Sequence, residues 1–314
     1  MACVFMFPGQ SSIGAGMVSR ALAAHGAARD VLDRAVRVLA PGALDRCLND
    51  EAPTTNCDIQ LSVFVVTQMY LAALQAEGIA GVASLGLSLG EYSHLVHCGA
   101  LDFEDAVALV SERGLCYDHA PQGCMVTVLA ADRGTVSQVV EAARARGPIV
   151  ISNYNTPTQH VIAGADEAVT WAAATLEDDH AAHTAVIERR VPMHSPLMAP
   201  VALAFRPALA RARWRETSFD YLPNVTAKPI AKPAPADMIE ALTRHVIEPV
   251  LWQSSMDAAA ALHADAAFVE VGPGGVLNNM VGRSWKDLRH ARIDALESGD
   301  PRRHFAQTVE ALRA

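Results

Sequence analysis

A chain of 314 residues that is 51% hydrophobic can bury one large core or two unequal lobes, so a globular enzyme is the default class. Its formal net charge of -9 excludes a chain-wide attraction to nucleic acid or to an anionic membrane surface, and an acidic partner must meet a local basic patch. Six cysteines without a C-x-x-C pair, in a chain too long to need disulfide staples, fit reduced thiols and a cytoplasmic location.

The first predicted element is a strand over 3–7. This apolar segment has no basic n-region and runs at once into Pro8-Gly9, unlike a signal peptide. The apolar stretch over 61–74 is broken by Ser62, Thr67 and Gln68 and is too short for a bilayer of ~30 Å. It reads as part of a buried helix over 61–76. A strand over 82–85 and helices from about 88 and 102 follow. Such alternation predicts a mostly parallel sheet covered by helices.

Between that strand and the next helix stands Gly86-Leu87-Ser88-Leu89-Gly90, a G-x-S-x-G turn in the strand-turn-helix setting that a nucleophile elbow requires. The turn is sharp, and glycines flank the serine where a Cβ would clash. It exposes the Ser88 Oγ above the sheet. It also leaves the Leu89 N–H at a helix start, where it can hold an oxyanion. Two glycines around a serine also occur in plain turns; the flanking elements favour catalysis.

From 125 the elements shorten: strand 125–130, helix 135–145, strands 149–153 and 160–163, helix 166–176, strand 184–187. That order is the split β-α-β pattern of a ferredoxin-like lobe. Helices over 195–209 and 237–247 come next, then a strand over 267–271 and a turn at Gly272-Pro273-Gly274-Gly275. The predicted organisation is a large α/β lobe from 1–123 and 192–314, with the small lobe 124–191 inserted and a cleft beside it.

A serine nucleophile needs a base, and twelve histidines compete. His25, His180, His183, His263, His290 and His304 lie in polar or helix-end surroundings. His94 and His97 follow Ser88 on its helix, which points them away from Oγ. His194, in Val191-Pro192-Met193-His194-Ser195-Pro196, sits where the inserted lobe ends, between prolines that restrict the backbone. Within reach of Ser88 it would take and return a proton, worth ~10²–10⁴-fold in rate.

Phe7-Pro8-Gly9-Gln10, Gly86-x-Ser88-Leu89-Gly90-Glu91-Tyr92, Leu109-Val110-x-x-Arg113-Gly114, Asn155-x-Pro157-x-Gln159, Pro192-x-His194-Ser195 and Glu270-Val271-Gly272-Pro273-Gly274 together resemble the malonyl-CoA:acyl carrier protein transacylases. The stand-alone acyltransferases of polyketide assembly lines belong to the same group. The resemblance implies a large lobe related to α/β hydrolases, a small ferredoxin-like lobe, Ser88 as nucleophile, His194 as base and Gln10 as the second oxyanion donor beside Leu89. It implies that a backbone carbonyl, rather than an aspartate, orients the histidine. The expected place for it is Pro249-Val250-Leu251-Trp252, at Leu251, where the family usually has Gln. It also implies that Arg113 grips the free carboxylate of the acyl group, since a planar guanidinium offers two parallel hydrogen bonds.

The chain departs from the family pattern near the acyl pocket. Leu87 stands where His is common, Ser11-Ser12-Ile13 where Gly-Ser-Gln is common, and Met193 where related enzymes separate malonyl from bulkier units. Leu87, Met193 and Asn155 are therefore expected to touch substrate with Arg113. The implied reaction moves a carboxylated acyl group from a coenzyme A thioester, as substrate, to an acyl carrier protein. No permanently bound cofactor is expected, and no metal ligand set, P-loop or dinucleotide fingerprint is present. Arg189-Arg190 and Arg283, Lys286 and Arg289 are candidates for docking an acidic carrier. The expectation is a monomer with no nucleic acid or membrane partner. Two alternatives are an acyl hydrolase acting on carrier proteins, which gains nothing from a carboxylate clamp, and a non-catalytic carrier-binding homologue, which has no use for Ser88, His194 and Arg113 together.

Overall fold

The computed structural model describes residues 1–49, 51–296 and 299–314. Its large lobe is built on a four-stranded sheet of β1 (Cys3–Phe7), β2 (Gly81–Gly86), β7 (Ala267–Glu270) and β8 (Arg289–Arg292), in the order β2-β1-β7-β8 and parallel throughout. All five residues of β1 are buried, as a central strand covered on both faces demands.

Helices α1 (Met17–Ala24), α2 (Ala27–Val38), α3 (Asp45–Leu48), α4 (Asn56–Ala76), α5 (Gly90–His97) and α6 (Phe103–Asp118) precede the small lobe. Helix α4 is long and apolar enough to cross a membrane, but here it is the core helix, packed against α2 and α6. It begins earlier than its apolar pattern suggests. Thr55 and Asp58 form a capping box that carries the helix back to Asn56.

The second sheet comprises β3 (Cys124–Leu129), β4 (Ile149–Thr156), β5 (Gln159–Gly164) and β6 (His183–Glu188) in the order β4-β5-β3-β6, antiparallel throughout. Helices α7 (Arg133–Ala143) and α8 (Asp166–His180) contribute to a separate apolar core that includes Val128, Val136, Ile162 and Leu176. Helix α8 runs past the end of its apolar pattern and stops where Ala181 turns left-handed, with φ 52°.

The chain then returns to the large lobe through α9 (Ala199–Arg211), α10 (Pro235–His245), α11 (Trp252–Leu262), α12 (Val276–Ser284) and α13 (Pro301–Arg313). The lobes are joined by main-chain bonds as well as by the polypeptide. Tyr154 N–H donates to the Val250 carbonyl and Val250 N–H to the Ser152 carbonyl, each at 2.9 Å. Strand β8 is the edge of the large sheet; its sequence Arg-His-Ala-Arg has no apolar alternation by which to predict it.

Candidate active site

Strand β2 delivers the nucleophile turn to the carboxyl edge of the large sheet. Leu87 N–H extends the β1 pairing to the Phe7 carbonyl at 2.9 Å, and the chain then turns so tightly that Ser88 takes φ 52°. A Cβ on Gly86 would overlap the main chain of Gly90, and one on Gly90 would overlap the Phe7 carbonyl. Both positions therefore exclude every side chain, as the turn pattern implied.

Ser88 Oγ lies 2.7 Å from His194 Nε2. The other ring nitrogen, Nδ1, is 2.6 Å from the carbonyl oxygen of His245. A carbonyl only accepts, so Nδ1 carries the proton and the lone pair of Nε2 faces the serine hydroxyl. His194 also holds a left-handed backbone, φ 57°, and Ser195 Oγ braces the turn by donating to the Pro192 carbonyl at 2.6 Å. A left-handed conformation at a non-glycine residue is costly, and here it occurs at both members of the pair.

The orienting carbonyl belongs to His245, not to Leu251. Helix α10 ends at His245, and the residue four further on is Pro249, which has no N–H to give. The His245 carbonyl is thereby left for the imidazole. Leu251 serves elsewhere: its N–H donates to the Asn224 carbonyl at 2.9 Å.

His194 is buried, and its pKa is held well below the ordinary imidazole value, first by desolvation, then by the charges of His245 and Arg113. The bond to the His245 carbonyl opposes this only in part. The ring therefore rests neutral, in the state that can accept a proton.

Neither the Gln10 nor the Leu89 main-chain N–H is bonded within the chain among the described residues. Gln10 opens the short 3-10 turn Gln10–Ser12, and Leu89 caps α5. Two uncommitted donors thus flank the serine, as an oxyanion site requires. The cleft between the lobes, about 340 Å³, is lined by Gln10, Leu87, Ser88, Met193 and His194 from one side and by residues such as Asn155 from the other.

Arg113 stands behind this lining rather than on it. It is 1% exposed, donates to Gln60 Oε1 at 2.6 Å and to the Tyr117 hydroxyl at 3.0 Å, and lies 4.3 Å from the Tyr117 ring centre. No carboxylate pairs with it among the described residues. A buried cation with only neutral partners is costly unless an anion completes it. Asn155 Oδ1 and Gln60 Nε2 are buried with no hydrogen-bond partner among the described residues.

Several residues that build the site had no local signal. Asn224 accepts from Ser88 N–H at 2.9 Å and donates to the Gly86 carbonyl at 2.7 Å. His245 stacks on His194 with ring centres 4.7 Å apart. Gln60 alone could have been found, as a polar residue heading an apolar helix segment.

A family model described as the acyl transferase domain matches residues 4–308. The malonyl CoA-acyl carrier protein transacylase of Escherichia coli (strain K12) is 32% identical over 287 residues, 89% of this chain and 91% of that protein. Its namesake from Bacillus subtilis (strain 168) is 30% identical over 300 residues, 94% of each chain. The solved acyl-carrier-protein S-malonyltransferase from Burkholderia pseudomallei has a TM-score of 0.89 at 28% identity, covering 99% of this chain and 100% of that one.

Proposed function

The chain belongs to the acyl transferase family, among the malonyl CoA-acyl carrier protein transacylases, and we propose that it moves a malonyl or similar carboxylated acyl group from coenzyme A to the phosphopantetheine thiol of an acyl carrier protein. The observation that carries the mechanism is the 2.7 Å contact between Ser88 Oγ and the unprotonated Nε2 of His194.

In the first half-reaction Ser88 Oγ bonds to the thioester carbon while its proton passes to His194 Nε2. The carbonyl oxygen becomes an oxyanion held by the N–H groups of Gln10 and Leu89; a single such donor is worth about 10²–10³-fold in rate. The tetrahedral adduct then collapses, the C–S bond breaks, and the departing sulfur takes the proton from His194. An acyl-serine remains. In the second half the carrier's thiol gives its proton to His194, its sulfur attacks the ester carbon, and Ser88 Oγ leaves with that proton.

The uncompensated guanidinium of Arg113 supports a carboxylated acyl group, with Asn155, Leu87 and Met193 shaping its surroundings. It also disfavours the hydrolase reading. Arg189, Arg190, Arg283, Lys286 and Arg289 are all exposed and join no ion pair among the described residues, which supports their use in docking an acidic carrier. Ser88, His194 and the His245 carbonyl all come from one chain, so the scheme needs no second copy and is written for a monomer. The six free cysteines fit the cytoplasm. Supply to polyketide assembly, as well as to fatty-acid synthesis, is compatible with the same site.

Intact-mass measurement after mixing with malonyl-CoA tests the reading. The chain should gain one malonyl group, mapped to Ser88, and lose it to a holo carrier protein. A wild-type chain that stays at its own mass would refute the assignment.

A further inference from the structure

The carbonyl that orients His194 belongs to a second histidine, and the side chain of that histidine is packed into the site. The His245 ring stacks beneath His194 at 4.7 Å with a 20° tilt, and its Nδ1 is 3.0 Å from Glu91 Oε2. Both His245 and Glu91 are buried. Glu91 lies on α5 three residues after the nucleophile. Resting on the reading that His194 is the base, we propose that Glu91 and His245 form a buried ion pair that sets the charge and plane of His194 from behind, a positioning element where a Ser-His-Asp site has its third carboxylate.

The surroundings of Glu91 favour its ionised form. Oε1 receives the Tyr221 hydroxyl and, at 3.4 Å, the Asn224 N–H, so the carboxyl acts as acceptor from two sides. It also sits in the first turn of α5, where the main-chain dipole favours an anion. An ionised carboxylate this deep needs a cation. Among the described residues only His245 pairs with it. Arg113, the nearby guanidinium of α6, is engaged with Gln60 and Tyr117 instead. In the proposed pair the proton is placed on His245, whose Nδ1 faces Glu91 and whose Nε2 is buried without a partner.

The other groups facing this cluster bear on the sign. Ser88 Oγ faces Nε2 of His194, and the Arg113 charge acts on the same ring. Tyr92 and Tyr221 lie near Glu91, and burial raises both phenols, so they stay neutral. The ring stacked on His194 is that of His245, and Glu91 contacts that ring at Nδ1, so the end of the pair against His194 is the positive one. The nearer charge dominates and resists protonation of His194. The carboxylate limits that effect, so the imidazolium can still form during the reaction. For point charges at these separations, with an effective dielectric near 20, the net influence is about one pH unit.

The test compares the pH dependence of malonyl loading, as kcat/KM, in wild type, His245→Gln and Glu91→Gln. The first variant keeps the main-chain carbonyl that binds Nδ1 and removes the cation. The second removes the anion that holds the proton on His245. Each should move the acid limb to higher pH, Glu91→Gln by about one unit and His245→Gln by more, because it leaves the carboxylate unopposed. A wild-type limb in either folded variant overturns the proposal and reduces the pair to packing, whatever happens to the maximal rate. If one variant fails to fold, the other decides alone. An NMR titration of the His194 ring, assigned by its loss in His194→Ala, follows the same shift without any turnover. If the wild-type chain takes no malonyl on Ser88, the functional reading fails, and the titration still judges the pair.

Discussion

Asn224 grips the nucleophile turn at two points: its carbonyl oxygen receives the Ser88 N–H and its amide donates to the Gly86 carbonyl. Since Ser88 is held at φ 52°, this side chain offsets strain at the residue whose position matters most. Asn224→Ala should lower the rate of Ser88 loading by ~10–100-fold and cost about 2 kcal/mol of stability through two unpaired main-chain groups. Stopped-flow loading and urea unfolding measure the two effects; a wild-type loading rate would show that the turn holds itself.

The turn also makes a steric prediction. A methyl group on Gly90 meets the Phe7 carbonyl of the central strand, whereas one on Gly14 meets nothing within 4 Å. Gly90→Ala should give insoluble or molten protein, and Gly14→Ala should leave the melting temperature within a few degrees of wild type. Circular dichroism on both variants checks the contrast.

Arg113 should decide which acyl groups load. Replacing it with Ala removes the buried cation and should erase the preference for malonyl-CoA over acetyl-CoA, a loss of ~10²-fold or more if two charge-assisted bonds are involved. Arg113→Lys should recover little, because an ammonium cannot match the carboxylate through parallel bonds. Competition between the two thioesters, read by intact mass, gives the ratio; unchanged selectivity in Arg113→Ala would remove the clamp from the mechanism.

Acid should weaken the fold through a second histidine pair remote from the catalytic base. Ser84 Oγ lies 2.7 Å from His94 Nδ1 and 2.9 Å from His97 Nδ1. Burial lowers His94 to about 3 and His97 to about 4, the former with a further contribution from the His97 charge. Unfolded chains bind these protons near pH 6.5, so stability is intact above that value and declines as the pH falls toward the folded pKa values. By pH 5 the two should together remove about 4 kcal/mol. Urea midpoints at pH 7 and pH 5 measure the loss, which should shrink in His97→Gln.

Features with strictly local causes were legible in the sequence. The Gly86-x-Ser88-x-Gly90 turn could be read because its steric demand falls on adjacent residues, and His194 because two prolines bracket it. The order of six short elements over 125–187 followed from their periodicity. The orienting carbonyl was misplaced because its identity depends on where α10 stops, and the clue, Pro249 four residues beyond His245, is informative only once that helix end is known. Asn224, His245 and Glu91 act across more than a hundred residues of chain in reaching the elbow or one another. No window of sequence contains such a contact.

The pairing of Ser152 and Tyr154 with Val250 fastens the two lobes together on either side of Asn153, a residue of the crevice lining. A slot so fastened works as a gauge, admitting what is slender and leaving bulk at the rim. Coenzyme A and a holo carrier differ in everything except the pantetheine arm, and that arm is the slender part of each. One aperture can then serve donor and acceptor in turn, each identified by its thin end.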